Sequence, residues 1–398
     1  MERVRFGVIG YGQRGYGLLD MLLSMEDVDV TAVCDKYDDR AEGAMNRVVE
    51  KRNFKPFCTL NYKELLKRDD VDAVLIATDW EMHVEMAINA MKAKKAVAVE
   101  VSGAYCLQDC FDLVSTWETY RVPFMFMENC CYNREEMLVT EMVKRGMLGD
   151  IVYCSGSYAH DLRYEVTHGK ENRHYRLRNY LNRNCDNYPT HELGPIAKIL
   201  KINHGNRMVS LVSVASKSAG MEYYVEKNKD TMDKDLIGKK FAQGDVVNTI
   251  ITCENGETIL LRLDTSLPRS YSREFTVRGT KGMYEQSTNS FFFEGDKEYW
   301  VPADYAKDNL NNAEKYKDLL PDCWKGITQE QLDAGHGGMD YIEFRDFVDR
   351  LKANETMPID VYDAASWMAV TCLSEESIKN GGAPQQIPDF TKGAYKNR

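Results

Sequence analysis

Gly10-Tyr11-Gly12-Gln13-Arg14-Gly15 sets three glycines at the G-x-G-x-x-G spacing, directly after the apolar run Val4 to Ile9 and at the opening of the helical pattern GLLDMLLSM. In that context the spacing reads as a phosphate cradle. Gly10 permits the tight turn, Gly12 lets the backbone approach a pyrophosphate, and Gly15 allows close helix–sheet packing. The helix that follows points unpaired N–H groups and the positive end of its dipole at the anion. Asp35 ends the next strand-like run, VDVTAVCD, 20 residues past Gly15. A carboxylate there accepts hydrogen bonds from a ribose 2′-hydroxyl and repels a 2′-phosphate. The expected ligand is NAD rather than NADP, with Tyr11, Gln13 and Arg14 in the same loop. Arg14 and Lys36 are the cations that weigh the other way.

A second constellation lies midway along the chain, in Asn187-Tyr188-Pro189-Thr190-His191. An imidazole takes and returns a proton near neutral pH, which suits general acid–base work. On the residues alone, the plainer reading of His191 is a histidine hydrogen-bonded at the start of the helix that ELGPIAKIL begins. Pro189 restricts the preceding residue to an extended backbone, which would aim the Tyr188 side chain. Glu128 stands at the carboxyl end of a predicted strand, where ligands bind in parallel sheets; capping a loop is its alternative role. Glu100 ends the fifth predicted strand and is expected on the nicotinamide side of the cofactor. His83 opens a helix and either touches the cofactor or lies on the helix surface. His336, in GHGGMD, either lines a substrate pocket or merely precedes a helix capped by Asp340.

These residues need a scaffold. Short apolar runs at 4–9, 28–35, 72–78, 95–101 and 122–128 alternate with helical patterns at 81–94 and 107–120. That alternation predicts a doubly wound parallel sheet over residues 1–129. Residues 134–150 read as a helix closed by Gly149. Strand-rich sequence follows without intervening helices, with Asn255-Gly256 as a hairpin turn and GTKG at 279–282 as another. The fold class is therefore α/β: a Rossmann domain at 1–129, then an α+β domain at 130–398 with a large, mostly antiparallel sheet. Helical patterns return near the end, and the one at about 361–380 is expected to pack back on the first domain.

The chain has 398 residues, 43% apolar and 28% charged, with a formal net charge of −11. A nucleic-acid partner is excluded as a main function, because phosphate binding wants a basic surface. The 11 cysteines show no zinc-ligand spacing, with Cys130 and Cys131 adjacent, so no metal is expected and reduced thiols in a cytoplasmic protein are. No secretory signal is visible, and no apolar run approaches the ~20 residues of a membrane helix.

The glycine fingerprint, VDVTAVCD and DAVLIATDWEMHVEMAINAMKAKKAVAVEV resemble the Gfo/Idh/MocA family of NAD(P)-dependent oxidoreductases, over most of the chain. Two positions depart. That family carries Glu-Lys-Pro after its fifth strand, where this chain has Glu100-Val101-Ser102. It also places Asp four residues before its catalytic His, where this chain has Asn187. The pieces MENCCYNREEM, SYAHDLR, RNYLNRNCDNYPTHELGPIAKIL, PRSYS and GHGGMDY resemble glycoside hydrolase family 109, which uses the same scaffold and is named for α-N-acetylgalactosaminidase activity. Glu192 follows the histidine where that family is expected to have Gly.

The resemblance implies a glycosidase that borrows NAD without net redox change. A hydride leaves C3 of a sugar, the ketone acidifies C2–H, a base takes that proton, the C1 substituent leaves, water adds and the hydride returns. It implies His191 as carrier of the O3 proton, Tyr188 as a donor to it or to substrate, and Tyr158 and Tyr271 as proton carriers at C2 or C1. A phenol ordinarily has a pKa of about 10, so a basic one needs a cation nearby; Arg163 or Arg269 is expected to supply it. Glu128, His160, Arg163 and His336 are the implied substrate contacts, and Glu100, His83 and Asn129 join the loop around the cofactor. A homo-oligomer through the second-domain sheet is also implied. The alternatives are a net sugar or polyol dehydrogenase or epimerase, against which Val101 argues, and a non-catalytic NAD sensor, against which the Tyr/His set argues.

Overall fold

In the computed structural model, which describes residues 2–398, the apolar run Val4–Ile9 forms strand β1, buried at every residue but Arg5. It opens the first of two units, made of the chain up to Asn133 together with Cys323–Ala365. Along the chain follow α1 (Gln13–Ser24), β2 (Val28–Cys34), α2 (Asp38–Arg52), β3 (Phe57–Thr59), α3 (Tyr62–Leu65), β4 (Ala73–Ile76), α4 (Trp80–Lys92), β5 (Ala96–Glu100), α5 (Leu107–Tyr120) and β6 (Phe124–Met127). The sheet order is β3-β2-β1-β4-β5-β6, and every neighbouring pair is parallel. β4, β5 and β6 are buried at every residue, as strands covered on both faces must be. The strand order reverses between β1 and β4, which opens a crevice at the carboxyl ends of those strands.

The second unit comprises Arg134–Asp322 and Ser366–Arg398. Its elements begin with α6 (Arg134–Lys144), β7 (Ile151–Ala159), α7 (Arg163–Thr167), α8 (Arg176–Asn182), α9 (Thr190–Ile199), β8 (Met208–Ala215) and α10 (Gly220–Lys227). The chain then adds β9 (Val246–Cys253), β10 (Thr258–Asp264), β11 (Thr276–Gly279), β12 (Gly282–Glu285), β13 (Ser290–Phe293) and α11 (Pro302–Asn309). With β14 (Gln385–Gln386) they make an eight-stranded sheet, β13-β12-β11-β7-β10-β9-β8-β14, in which only the β7–β10 pair is parallel. The hairpin at Asn255-Gly256 is present: Gly256 takes φ +99° and donates to the Cys253 carbonyl at 3.1 Å. GTKG joins β11 to β12.

α6 stops at Lys144, earlier than the pattern to Gly149 predicts, because Gly146 already turns the backbone left-handed at φ +69°. α9 lies against the face of β7 that carries Cys154, Gly156 and Tyr158. Gly156 makes the close approach possible, since a Cβ there would stand 2.7 Å from the Glu192 Cβ. The other sheet face alternates outward, with Val214 and Ile250 more than half exposed.

Beyond Asp322 the chain returns to the first unit through α12 (Gln329–Asp333) and α13 (Met339–Ala353), then enters α14 (Val361–Lys379), within which the unit boundary falls. α13 docks on the first unit through Phe347, whose ring is 5.9 Å from that of Phe6, and through Arg345 and Lys352, which both bind Asp27. Among the described residues no helix is long and apolar enough to cross a membrane. All eleven cysteines are free thiols.

Candidate functional site

The loop after β1 turns at Gly10, at φ +101°, where a Cβ would stand 2.3 Å from the Ala77 carbonyl oxygen. At Gly15 a Cβ would lie 2.1 Å from the Gly10 carbonyl oxygen. Packing therefore fixes both as glycine. Gly12 differs: a Cβ on it meets nothing nearer than the Arg40 guanidinium at 3.5 Å. Gly12 is also the N-cap of α1, which has no side-chain cap. Backbone donors left open on one side are what a pyrophosphate requires. Gln13 and Arg14 open that helix. Asp35 is buried and accepts the N–H of Tyr11 at 2.8 Å and of Tyr37 at 3.0 Å, one on each oxygen. Each oxygen keeps acceptor capacity for a ribose hydroxyl. Lys36 is paired with Asp79 at 2.7 Å.

Arg14 turns toward two carboxylates. Its Nη2 is 2.9 Å from Glu100 Oε1, and its two terminal nitrogens grip Asp340 at 2.6 and 3.0 Å. Asp340 also accepts from Asn129 Nδ2 at 2.7 Å and lies 2.8 Å from His336 Nδ1. Burial opposes its ionisation, but Arg14 and His336 hold the Asp340 carboxyl well below the usual carboxylate range. The capping role considered for Asp340 is not what the structure shows: Gly338 is the N-cap of α13, without a side-chain bond. His83 lies inside the fold, its Nε2 donating to the Thr78 carbonyl at 3.1 Å, and burial pushes its pKa down to about 4. Glu128, fully buried just past β6, accepts the Cys130 N–H at 3.1 Å and so caps the 3-10 turn Asn129–Tyr132.

In the second unit five rings form a continuous series. Tyr188 precedes α9 and His191 is its second residue, which brings the Tyr188 hydroxyl to 3.3 Å from His191 Nε2. The Tyr158 ring lies 4.5 Å from Tyr188, 5.6 Å from His191 and 6.0 Å from His160, between centroids. His160 in turn lies 5.3 Å from Tyr271. Tyr271 arrives there because Ser272 pairs with Ala159 through two backbone bonds of 2.9 and 3.2 Å. Tyr158 and Tyr188 are buried; Tyr271 is half exposed, so solvent reaches one end of the series. Burial pushes the Tyr158 phenol up and the His160 imidazole down, leaving both uncharged. Asn187 donates to Gln243 at 3.0 Å, and burial pushes the neighbouring Asp186 up to about 7.

The arginines expected to serve the tyrosines are engaged elsewhere. Arg163 binds Asp161 at 2.7 Å and stacks over Tyr224, and Arg269 is held by Asp264 and Glu274. The cation beside the rings is instead Arg176, buried at the start of α8. Its guanidinium carbon is 5.0 Å from the Tyr188 centroid and 6.0 Å from that of Tyr158, with Glu165 at 2.8 Å.

Comparison with known proteins bears on both units. Residues 4–127 match the family model described as "Oxidoreductase family, NAD-binding Rossmann fold", and residues 132–397 match "Glycosyl hydrolase 109, C-terminal domain". The chain belongs to glycoside hydrolase family 109. A family 109 protein of Stenotrophomonas maltophilia is 39% identical, the alignment covering 100% of this chain and 91% of that one. An alpha-N-acetylgalactosaminidase of Shewanella oneidensis is 35% identical over 100% and 87% of the two chains, and one of Tannerella forsythia is 35% identical over 99% and 88%. Among solved structures, a levoglucosan dehydrogenase in complex with NADH and levoglucosan superposes with a TM-score of 0.70 at 17% identity, covering 97% of this chain and all of that one, which establishes a shared fold.

This family 109 chain is thus an enzyme whose first unit is an NAD-binding Rossmann domain. The residues present fit that cofactor: an open Gly12, uncapped helix N–H groups and a buried carboxylate at the end of β2. Sequence reasoning missed Arg176, which sits in the polar run RHYRLRN with no spacing to mark it. It also missed what Asp340 binds: His336 lies in the glycine-rich turn before α13, and nothing local marks Arg14 as the partner.

Proposed function

We propose that the chain is an NAD-dependent glycosidase acting on α-N-acetylgalactosaminides, the activity named for its Shewanella and Tannerella relatives. The observation that carries this reading is the ring series itself: two proton carriers in contact, His191 and Tyr188, followed directly by Tyr158, on a chain with an NAD-binding domain. NAD, held by Gly12, the first turn of α1 and Asp35, supplies reversible hydride acceptance at C3 of the sugar. His191 takes the O3 proton and Tyr188 orients its imidazole. C2 is bonded to C3, so its base must neighbour His191, and the Tyr158 ring does, at 5.6 Å between centroids. Tyr158 is then the group to take the C2 proton; burial favours its neutral phenol, and the Arg176 guanidinium, 6.0 Å from its ring centroid, is the cation that offsets this, while Tyr271 attends the leaving group at the exposed end. Ketone formation at C3 makes the paired carboxylates of ordinary glycosidases unnecessary.

The test is phenol release from aryl α-N-acetylgalactosaminide by purified protein with no added cofactor, run in D₂O. The expected result is cleavage without NADH accumulation and deuterium at C2 of the product. Cleavage without deuterium would sink the elimination, and steady NADH growth in a second run with free sugar and added NAD⁺ would favour a net dehydrogenase.

The same reading extends to setting. The eleven free thiols support a reducing, cytoplasmic compartment. The outward sheet face with Val214 and Ile250 supports a homodimer formed by that face, readable by analytical ultracentrifugation.

A further inference from the structure

We propose that Glu100 and Asp340, arrayed around Arg14, poise bound NAD toward its oxidised form. Asp35 marks the adenosine half of the site, at the end of β2. By the rule for doubly wound sheets the other half of the dinucleotide lies over β4, β5 and β6. Glu100 ends β5, and Asp340 joins it through Arg14. Their side chains are only 9% and 2% exposed. Two carboxylates against one guanidinium leave a net negative charge whenever the His336 imidazole beside Asp340 is neutral, in a poorly solvated place where charge interactions are strong. Glu128, buried at the end of β6, adds a further carboxyl group.

A neighbouring carboxyl group lies in the same surroundings. Glu343, one turn beyond Asp340 on α13, is fully buried, and neither of its oxygens has a hydrogen-bond partner among the described residues. Burial, then Glu100 and Asp340, hold its pKa well above the ordinary value, so it stays protonated. Burial is the larger cause, and the two carboxylates act in the same direction.

The nicotinamide ring is cationic when oxidised. A hydride brings it one proton and two electrons and leaves it neutral. A fixed negative field therefore favours the oxidised ring over the reduced one. The inference deepens the glycosidase reading, whose first step needs oxidised NAD, but its measurement involves no sugar, so either can fail alone.

The reduction potential of bound NAD is read by equilibrating holoenzyme at pH 8 against a reference dye couple and following NADH absorbance. Glu100→Gln and Asp340→Asn should each shift the bound oxidised-to-reduced equilibrium about tenfold toward NADH, a rise of about 30 mV for a two-electron couple. Glu343→Gln should shift it less than twofold, because it replaces a neutral group with one of similar shape. If Asp340→Asn fails to fold, Glu100→Gln decides alone. An unchanged potential in the folded charge variants, or an equal shift in Glu343→Gln, overturns the proposal.

Discussion

His191 and Tyr188 are three residues apart, yet their side chains meet only because α9 begins between them, at Thr190. The contact makes a clear prediction. His191→Asn keeps a polar side chain of similar reach but cannot carry a proton. It should lower glycoside cleavage by about 10²–10⁴-fold, the usual worth of a general acid–base, while NAD binding measured by calorimetry is unchanged; cleavage at the original rate would remove His191 from the chemistry. Only the resemblance to family 109 singles the motif out; on the residues alone His191 reads as a histidine at a helix start. Arg176 was not legible, because an arginine in a charged run has no signature until α8 buries it against the rings. Arg163 misled for the opposite reason. It closes the AHDLR motif, and nothing local reveals that Asp161, two residues earlier, claims its guanidinium.

α13 shows the same contrast among elements. Its pattern of apolar residues announced a helix, and Met339–Ala353 is one. Which sheet it serves was invisible, since its anchors, Phe6, Asp27 and Arg14, are more than 300 residues away in sequence. The parallel strands were legible because burial on both faces gives unbroken apolar runs, and the second sheet because its strands alternate. The Asp27 anchor carries a pH dependence. Hydrogen bonds from Arg345, opposed by burial and aided by Lys352, hold the Asp27 carboxyl well below its ordinary value. A lowered folded pKa contributes stability that is present above the unfolded value of about 3.9 and lost as pH falls through and below it. Asp27→Asn should therefore lower Tm at pH 7 and make no difference at the acid end, below the folded pKa. An equal deficit at both pH values would show that the helix is held by shape alone.

For the whole molecule, the division into two units differs from a simple cut near residue 129, because Cys323–Ala365 groups with the first unit. A fragment ending at residue 129 would expose the patch around Phe6 that Phe347 covers and leave Arg14 without Asp340. It should be insoluble or fail to bind NAD by calorimetry. Residues 1–133 joined by a flexible linker to 323–365 should bind NAD and melt cooperatively; NAD binding by the short fragment alone would contradict the division. The same connectivity has a consequence for how the protein is made. Translation proceeds at about 5–20 residues per second, so the amino-terminal strands emerge long before α13 does. The first unit therefore waits on the ribosome, its Phe6 patch uncovered, while residues 134–322 of the second are synthesised.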